Sequence, residues 1–510
     1  MTNLSDLFPA GAGKQVSFVA DGAISAAGKP VILTAAGKAA PIVGSGAGLG
    51  STVQYSGGTV NPGTVSTTYD PDEQKIVTAY TDSANSNYGT AVIGTITSSN
   101  VLSYGTPVVF ASASSYNVST CYDTTNNKVV ITFQDATYAT AIVGTVSGTS
   151  ISFGTETAFT SDNTPASVCI FEPNSGKVVV ATRIYTGTSN GEAFVGTVSG
   201  TSISFGSANT YLSGSSSEYI SMSLDPDNSN QILMVYRNDG AGGVGTAIVA
   251  AVSGTSMTFG TPVVFSATTT YSTQTVYDTV QNKHVVFYSP NGAGEYYSGM
   301  VIVATTSGTD VTFGTAATWK TGIAVGAASQ GVYSTGACWD SINNRIPIAY
   351  CFHQWDDATN DLSYVLYATL DSGGTVTFSD ETQFDSGVWT RCHGGTAGNF
   401  AAFDTNQGSM AYAWTEAEGD NQGYALAYQP ATTNLTATNF IGISDAAILD
   451  TASGNITIKG GIAATGLTSL TPGSDYYAQT DGTISTSSSG DAVKIGKAMS
   501  ATSINLEYQS

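Results

Sequence analysis

The chain repeats one pattern with a period of roughly 50 residues. The clearest copy, from Tyr122 to Thr155, reads YDTTNNKVVITFQDATYATAIVGTVSGTSISFGT. Apolar residues alternate in its long runs, β-branched residues are frequent, and Gly, Asn and Asp separate the runs, which predicts antiparallel strands joined by hairpins. With the preceding string NVSTC as a first strand, each copy is predicted to form four strands, A to D.

Two markers give the number of copies. A carboxylate residue closes strand A in each, at Asp70, Asp123, Glu172, Asp225, Asp278, Asp340 and Asp404. The aromatic residue of strand D recurs at Tyr104, Phe153, Phe205, Phe259 and Phe313, with a degenerate copy at Phe378. All-strand repeats of this length are typical of propeller blades. The sequence therefore predicts an all-β fold, a seven-bladed β-propeller with four-stranded antiparallel blades.

The seventh copy has strands A, B and C but lacks a recognisable strand D. A strand-D-like stretch, LGSTVQYSG, lies instead before the first copy. We expect residues 48–57 to complete the seventh blade, because a closed ring leaves no unpaired sheet edge. Strand A would then be innermost and strand D outermost.

The two ends of the chain do not follow the sequence pattern of the repeats. Residues 1–47 and 431–510 contain short alternating runs and Gly turns, such as KPVILTAAGKAAPIV and DYYAQTDGTIS. Closing a ring brings its two ends together. We therefore predict one small β domain built from both termini, into which the propeller of residues 48–430 is inserted.

Charge and composition exclude several classes of partner. The chain has 15 Lys and Arg residues against 37 Asp and Glu residues, a formal net charge of −22. This balance disfavours nucleic acid and anionic membranes, which need basic patches. No apolar run reaches the ~20 residues that span a bilayer, and we expect neither membrane insertion nor a secretory signal. No phosphate-loop motif and no zinc spacing occur, so no cofactor is expected, and the cysteines are predicted to be free thiols.

The repeated carboxylates of strand A suggest either a metal array or a structural turn. An Asp that opens a hairpin such as YDTTNNK accepts backbone hydrogen bonds in an Asx turn. Recurrence in every copy favours architecture, because a single active site needs asymmetry. We predict Asx turns and no metal site.

The clearest asymmetry lies in copies six and seven. The B–C loop of copy six reads HQWDDATNDLSY, and the D–A loop that follows reads DSGVWTRCHGG. Both loop types open on the same face of a propeller, so we expect these two side by side. Aromatic rings beside carboxylates and an arginine are typical of carbohydrate recognition. The predicted ligand-binding residues are His353, Trp355, Asp356, Asp357, Asp361, Trp389, Arg391 and His393.

Two alternatives accompany this prediction. The loops could simply pack on their neighbours, and Asp356 with Asp357 could bind a cation. Other B–C loops also contain tyrosines, which together could form a broad sugar-binding face, at Tyr88, Tyr138, Tyr185, Tyr296 and Tyr297.

The repeat KVVITFQDATYATAIVGTVSGTSISFGT resembles repeats of propeller-bearing virion structural proteins of marine bacteriophages. The stretches FVADGAISAAGKPVILTAAGKAAPI and GLTSLTPGSDYYAQTDGTIS resemble small β-modules of phage tail fibres. The resemblance implies a virion protein that is assembled in the host cytoplasm and contacts other virion proteins through its terminal domain. It implies no particular site residues.

Three functions remain open at this point. The first is a non-enzymatic tail fibre or adhesin that binds a host-surface glycan or protein receptor through loops on one propeller face. The second is a structural capsid or tail decoration. The third is a polysaccharide-degrading enzyme, with candidates among Asp356, Asp357, Asp361, Glu416, Glu418, His353 and Arg391. We expect the protein not to be an enzyme. Whether it forms a homo-oligomer is left open, because the sequence shows no coiled coil.

Overall fold

The computed structural model describes residues 15–45, 48–135, 138–162, 166–184, 189–228, 231–292, 297–325, 328–354, 361–386, 390–391, 399–416, 421–430, 432–436, 438–488 and 492–507. The chain divides into two compact modules. The terminal module comprises Met1–Gly48 and Pro430–Ser510, and the repeat module comprises Leu49–Gln429. The all-β prediction is confirmed, since the described residues form strands and two single-turn 3-10 helices, Ser83–Asn85 and Asp239–Ala241. No helix among them has the length and apolar character to span a bilayer.

The terminal module joins segments from both ends of the chain. Its first sheet has the order Gln15–Val19, Ser453–Ile458, Phe440–Ser444, Pro30–Leu33, Ala39–Pro41. A second sheet has the order Ile462–Ala463, Ser503–Leu506, Val493–Ser500, Asp475–Ala478, Ile484–Ser485. A two-stranded ribbon pairs Gly44–Ser45 with Thr432–Thr433. N-terminal and C-terminal strands thus share one sheet, with Val16 opposite Ile456.

The repeat module consists of successive antiparallel units in which strand B lies between strands A and C. Strands A are Val53–Asp70, Val108–Asp123, Ala166–Glu172, Ser217–Asp225, Val263–Asp278, Ala328–Ala337 and Ala401–Asp404. Strands B are Lys75–Asp82, Lys128–Asp135, Lys177–Ile184, Gln231–Asn238, Lys283–Asn291, Ile346–Gln354 and Ser409–Glu416. Strands C are Tyr88–Ile96, Ala139–Ser147, Asn190–Ser199, Val244–Ser253, Gly299–Ser307, Leu362–Leu370 and Gln422–Gln429.

Outer strands D pair with strands C and are split into two segments. The first segments are Leu102–Tyr104, Ser150–Phe153, Ser202–Phe205, Ser256–Phe259, Asp310–Phe313 and Val376–Phe378. The second segments are Thr157–Thr160, Asn209–Leu212, Ala317–Lys320, Thr382–Ser386 and the starts of Val108–Asp123 and Val263–Asp278. Two short strands, Ile323–Val325 and Thr390–Arg391, precede the inner strands of units six and seven. In unit seven the outer position is held by Gly48–Leu49 and the start of Val53–Asp70, which pair with Gln422–Gln429.

The apolar core lies between successive units, because both faces of each central strand are covered. In unit two, Val129, Ile131 and Phe133 pack towards unit one. The alternate residue Val130 packs towards unit three, against Val180. All of these side chains are buried. A strand enclosed on both faces explains why apolar residues fill consecutive positions of strand B.

Inner strands of neighbouring units contact one another directly. The Ser66 hydroxyl lies 3.0 Å from that of Thr120, and the Thr275 amide donates to the Ser221 hydroxyl at 3.0 Å. Unit seven returns to unit one, because the Thr67 amide donates to the Asn399 carbonyl at 2.6 Å. These contacts favour a closed ring, and the number of seven blades stays a prediction.

The Asx-turn prediction for the strand-A carboxylates is confirmed. In every unit the carboxylate accepts the backbone amides of the residues two and three positions later, at 2.8–3.2 Å. Asp340 is one of those with no exposed surface. Its carboxylate therefore closes the A–B turn and is not available as a ligand.

A second repeated contact joins neighbouring units and is called the glycine clasp below. In the first four units, the glycine after the strand-D aromatic residue lies against the carbonyl oxygen of a threonine in the next unit's C–D turn. A Cβ atom built on that glycine would lie 1.9–2.3 Å from the oxygen, in the pairs Gly105–Thr149, Gly154–Thr201, Gly206–Thr255 and Gly260–Thr309. Since real Cβ atoms never approach that closely, the repeat requires glycine there.

One inner position departs from the repeat. The first apolar residue of strand B is Ile76, Val129, Val178, Ile232, Ile346 or Met410 in six units, and it is His284 in unit five. The His284 ring is buried, and its Nδ1 lies 2.7 Å from the Ser223 hydroxyl. Burial lowers the pKa of His284 to about 4, against a smaller opposing effect of Asp225.

The glycine clasp predicts a matched pair of stability effects. Gly154→Ala places a methyl group against the Thr201 carbonyl, so the free energy of unfolding should fall by roughly 1–3 kcal/mol. Gly314→Ala should be tolerated, because the nearest atom to its built Cβ is the Val303 oxygen at 3.7 Å. Thermal and denaturant unfolding of both variants would test this. Equal losses in the two would contradict the clasp.

The buried histidine predicts acid-dependent stability. The folded pKa of His284 lies below the ordinary value, so the unfolded chain binds the extra proton first as the pH falls. This part of the stability is present at pH 7 and is lost between about pH 6.5 and pH 4, by roughly 3 kcal/mol. His284→Val should remove that loss while Ser223 keeps its contact with Thr275. The free energy of unfolding would be measured at pH 7 and at pH 4.5 for the wild type and for His284→Val. Carboxylates titrate in both proteins, so only the difference between the two pH effects reports on His284. An equal loss of stability in both proteins would contradict the prediction.

Candidate functional site

The two loops predicted from the sequence leave the sheet of unit six at neighbouring positions. Leu362, at the start of strand C, pairs with Ser386 at the end of the outer strand. The B–C loop ends at Asp361 and the D–A loop begins after Ser386. The described strands therefore hold the ends of both loops together on one face.

His353 and Asp361 form a buried pair at the base of the first loop. His353 Nδ1 lies 2.8 Å from Asp361 Oδ2, and the Gln354 amide donates to Asp361 Oδ1 at 2.8 Å. The exposed fractions of the two residues are only 3% and 0%. In this arrangement both side chains fasten the loop and neither presents its polar atoms to solvent.

The remaining predicted residues are less fully described. The backbone of Arg391 is in a short strand that pairs with Thr415. Trp355, Asp356, Asp357, Trp389 and His393 lie outside the described residues, and their role stays a prediction. Of the alternative catalytic carboxylates, Glu416 ends a strand B and Glu418 also lies outside the described residues.

Beside His353, on the same face, lies a set of residues that we call the tyrosine–arginine cluster: Glu218, Tyr219, Arg237, Tyr271, Tyr297 and Tyr333. They come from strands A in units four to six, from the end of strand B in unit four and from the turn that precedes strand C in unit five. Antiparallel pairing places all of these strand ends together, with Glu218 opposite Arg237.

The rings of the cluster are in mutual contact. The ring centroids of Tyr219 and Tyr271 are 5.3 Å apart, and those of Tyr271 and Tyr297 are 5.2 Å apart. The Arg237 guanidinium carbon lies 5.0 Å from the centroids of both Tyr219 and Tyr271. Tyr333 continues the row towards His353, with 6.1 Å between ring centroids. Such cation–π and edge-to-face contacts fix the ring orientations.

The charges of the cluster compensate one another. Glu218 forms ion pairs with both Arg183 and Arg237. A second carboxylate, Asp239, accepts from Arg237 Nε at 2.7 Å. Burial opposes the charge of Arg237, but Asp239 and Glu218 outweigh it and raise the pKa of Arg237. Two guanidinium groups and two carboxylates thus give a face without net charge.

The phenol groups remain protonated. Burial and the neighbouring Tyr271 and Tyr333 raise the pKa of Tyr297 to about 12. Burial, followed by Tyr333, also raises the pKa of Tyr219, although Arg237 opposes this. Each hydroxyl can therefore donate as well as accept a hydrogen bond at neutral pH.

Backbone irregularities coincide with the cluster. Strand A is bulged between Glu218 and Ser221 in unit four and between Tyr271 and Gln274 in unit five. Tyr219 and Ser272 both have φ of +49°, and Tyr297 has φ of +54°. Left-handed backbone is uncommon for a bulky residue such as tyrosine, and bulges are enriched near functional sites. Unit two has the same bulge, between Tyr116 and Ser119, with φ of +53° at Asn117. The bulge therefore belongs to the repeat, and what is particular to units four to six is the set of side chains that it carries.

Of the residues in the cluster, only Tyr297 was among those predicted from the sequence to contribute to a binding face. A signal for the others exists. A tyrosine stands seven residues before the strand-A marker in units two, five and six, at Tyr116, Tyr271 and Tyr333, and six residues before it in unit four, at Tyr219. The positions fall inside strands, where alternation makes a tyrosine look like an ordinary core residue. Only the three-dimensional pairing brings Arg237 and Glu218 to them.

No group of three or more His, Cys, Asp or Glu side chains in the described ranges is arranged to hold a metal ion. The described cysteines, Cys121, Cys169, Cys338 and Cys351, are free thiols as predicted.

Comparison with known proteins supports the fold. No protein-family model matches the chain, and a search of curated proteins found no match. Among solved structures, the BP39L lectin from Burkholderia pseudomallei matches with a TM-score of 0.50 at 9% identity, over 73% of this chain and 99% of the lectin. At this identity the similarity shows the fold alone, a β-propeller-like architecture.

Two further bacterial structures are similar. A protein from Lactobacillus plantarum matches with a TM-score of 0.42 at 10% identity, over 73% of this chain and 98% of its own. A protein of unknown function from Dyadobacter fermentans matches with a TM-score of 0.38 at 12% identity, over 62% of this chain and 94% of its own.

Proposed function

We propose that the protein binds glycans through the face that contains the tyrosine–arginine cluster. The observation that carries this proposal is the row of four tyrosine rings around one ion-paired arginine. Aromatic rings offer apolar surface to sugar rings, and phenol hydroxyls both donate to and accept from sugar hydroxyls. The tyrosines Tyr271 and Tyr297 are only half-buried, so part of each ring is accessible.

The charges favour a neutral glycan over an acidic one. Arg183 and Arg237 are already paired with Glu218, so neither offers an unpaired charge to a sugar carboxylate or sulfate. The whole chain also carries a net charge of −22, which repels acidic polysaccharides at long range. The proposed ligand is therefore an uncharged oligosaccharide.

Binding is favoured over catalysis. A glycosidase needs two carboxylates free to act as acid and base or nucleophile. In the cluster, Glu218 and Asp239 are both engaged by guanidinium groups. The phenol of Tyr297, with a pKa of about 12, cannot serve as a phenolate base near pH 7.

We further propose that this glycan is on a host cell surface and that the protein is part of a phage particle, as a fibre or adhesin. This part rests on the resemblance of the repeat and of the terminal segments to phage structural proteins. The fold of a solved lectin is compatible with the glycan part of the proposal.

Glycan binding predicts that the cluster tyrosines are energetically important. Tyr271→Ala and Tyr297→Ala should each weaken binding to a neutral oligosaccharide about tenfold to a hundredfold, roughly 1–3 kcal/mol. Binding would be measured on a glycan array and by calorimetry with the best ligand. Tyr277→Phe is the control, because Tyr277 lies on the same strand as Tyr271 but beside its C-terminal end, outside the cluster.

Circular dichroism would first establish that each variant is folded. Wild-type affinity in both cluster variants, with a folded protein, would contradict the proposal. A preference for acidic over neutral glycans that Tyr271→Ala abolishes would contradict the assignment of ligand charge.

A further inference from the structure

One interface between units lacks the glycine clasp. Units five and six meet at Gly314, whose sequence context FGT matches that of Gly154 and Gly260. No atom of unit six approaches the built Cβ of Gly314 within 4 Å. Gly314 is exposed, whereas the four clasped glycines are half-buried. The next unit's turn is therefore displaced from its usual position.

A comparison with the seam between units seven and one shows what is missing. The turns Thr97–Val101 and Asp371–Thr375 have the same hydrogen bonds: the first amide donates to the last carbonyl at 3.0 Å in both. The fourth residue has positive φ in both, +58° for Asn100 and +86° for Gly374. In unit one, the side chain of Asn100 occupies the space between units seven and one. Its side-chain nitrogen Nδ2 donates to the Ala427 carbonyl at 3.2 Å. Gly374 has no side chain to do the same.

The result is a cleft of about 490 Å³ between units five and six. Its apolar wall is formed by Val303 of unit five and Val376 of unit six, and its polar rim includes Lys283, Thr305 and Thr375. None of the described residues that line it has a carboxylate side chain. Lys283 Nζ donates to Thr305 Oγ1 at 2.9 Å, which leaves two further N–H donors of the ammonium group for a ligand.

We propose that this cleft is a second binding site, for a single sugar ring that carries a carboxylate. The volume suits a small polar ligand. The valine wall would take the apolar side of the ring, the threonine hydroxyls would bond ring hydroxyls, and Lys283 would pair with the carboxylate. Lys283 begins its strand B, whereas the tyrosine–arginine cluster lies at the other ends of these strands, so the two sites are separate.

The experiment uses glucuronate and glucose as probes of the full-length protein in ligand-observed NMR titrations. Gly374→Asn should close the cleft, because asparagine tolerates left-handed backbone and the built Cβ of Gly374 meets nothing within 4 Å. We expect at least a tenfold loss of glucuronate affinity. Gly308→Asn is the matched control, another turn glycine with positive φ, +57°, and open space around it.

The charge is tested separately. Lys283→Gln should reduce the preference for glucuronate over glucose to nearly nothing. Lys177→Gln is the control, because Lys177 makes the same contact with Thr197, at 2.8 Å, in a unit whose clasp is closed. Tyr271→Ala should leave glucuronate binding unchanged, which separates this site from the proposed glycan face.

Saturable glucuronate binding that is lost in Gly374→Asn and retained in Gly308→Asn would support the proposal. It would be overturned if glucuronate does not bind in the millimolar range or if folded Gly374→Asn binds as the wild type does. Loss in Tyr271→Ala but not in Gly374→Asn would also overturn it. Equal affinity for glucose and glucuronate would overturn the assigned ligand class.

Discussion

Close backbone contact between neighbouring units is the constraint on which the repeat module depends. At most of the interfaces between units, a glycine of the outer strand lies directly against a carbonyl of the next unit's turn, as Gly154 does against Thr201. The same geometry occurs where the chain closes on itself, since a Cβ on Gly50 would lie 2.5 Å from the Asn100 carbonyl. Because the contact involves backbone rather than a flexible side chain, it fixes the spacing of the units with little tolerance.

Because of this constraint, departures from the repeat indicate where the protein can carry a binding site. A regular unit must keep its glycine, its turn carboxylate and its apolar strand B, so change is concentrated where those requirements end. The tyrosine–arginine cluster occupies the bulged starts of inner strands in units four to six. The cleft beside Gly374 occupies an interface without a clasp. Both proposed sites therefore lie on a rigid scaffold, at positions where loops or turns can vary.

The sequence was sufficient to predict the all-β fold, because alternation and turn residues recur in every unit. The carboxylate turns were also predictable, since Asp123 and its equivalents act within one hairpin. Contacts between units were not predictable in this way. The contact of Arg237 with Tyr219 and Tyr271 depends on how the strands pair and on how neighbouring units pack. The space that Gly374 leaves beside Val303 depends on the same packing. His353 was predicted as a ligand-binding residue from its polar loop, yet its ring is turned inward onto Asp361.

The central claim is that ligand binding occurs where units four to six depart from the repeat, and not on the repeat itself. Hydrogen–deuterium exchange with mass spectrometry, with and without a saturating host cell-surface polysaccharide, tests it most directly. We expect slower exchange in peptides that contain Tyr219, Tyr271 and Tyr297, and unchanged exchange in the matching peptides of units one to three. Protection spread evenly over all units, or confined to units one to three, would contradict the account.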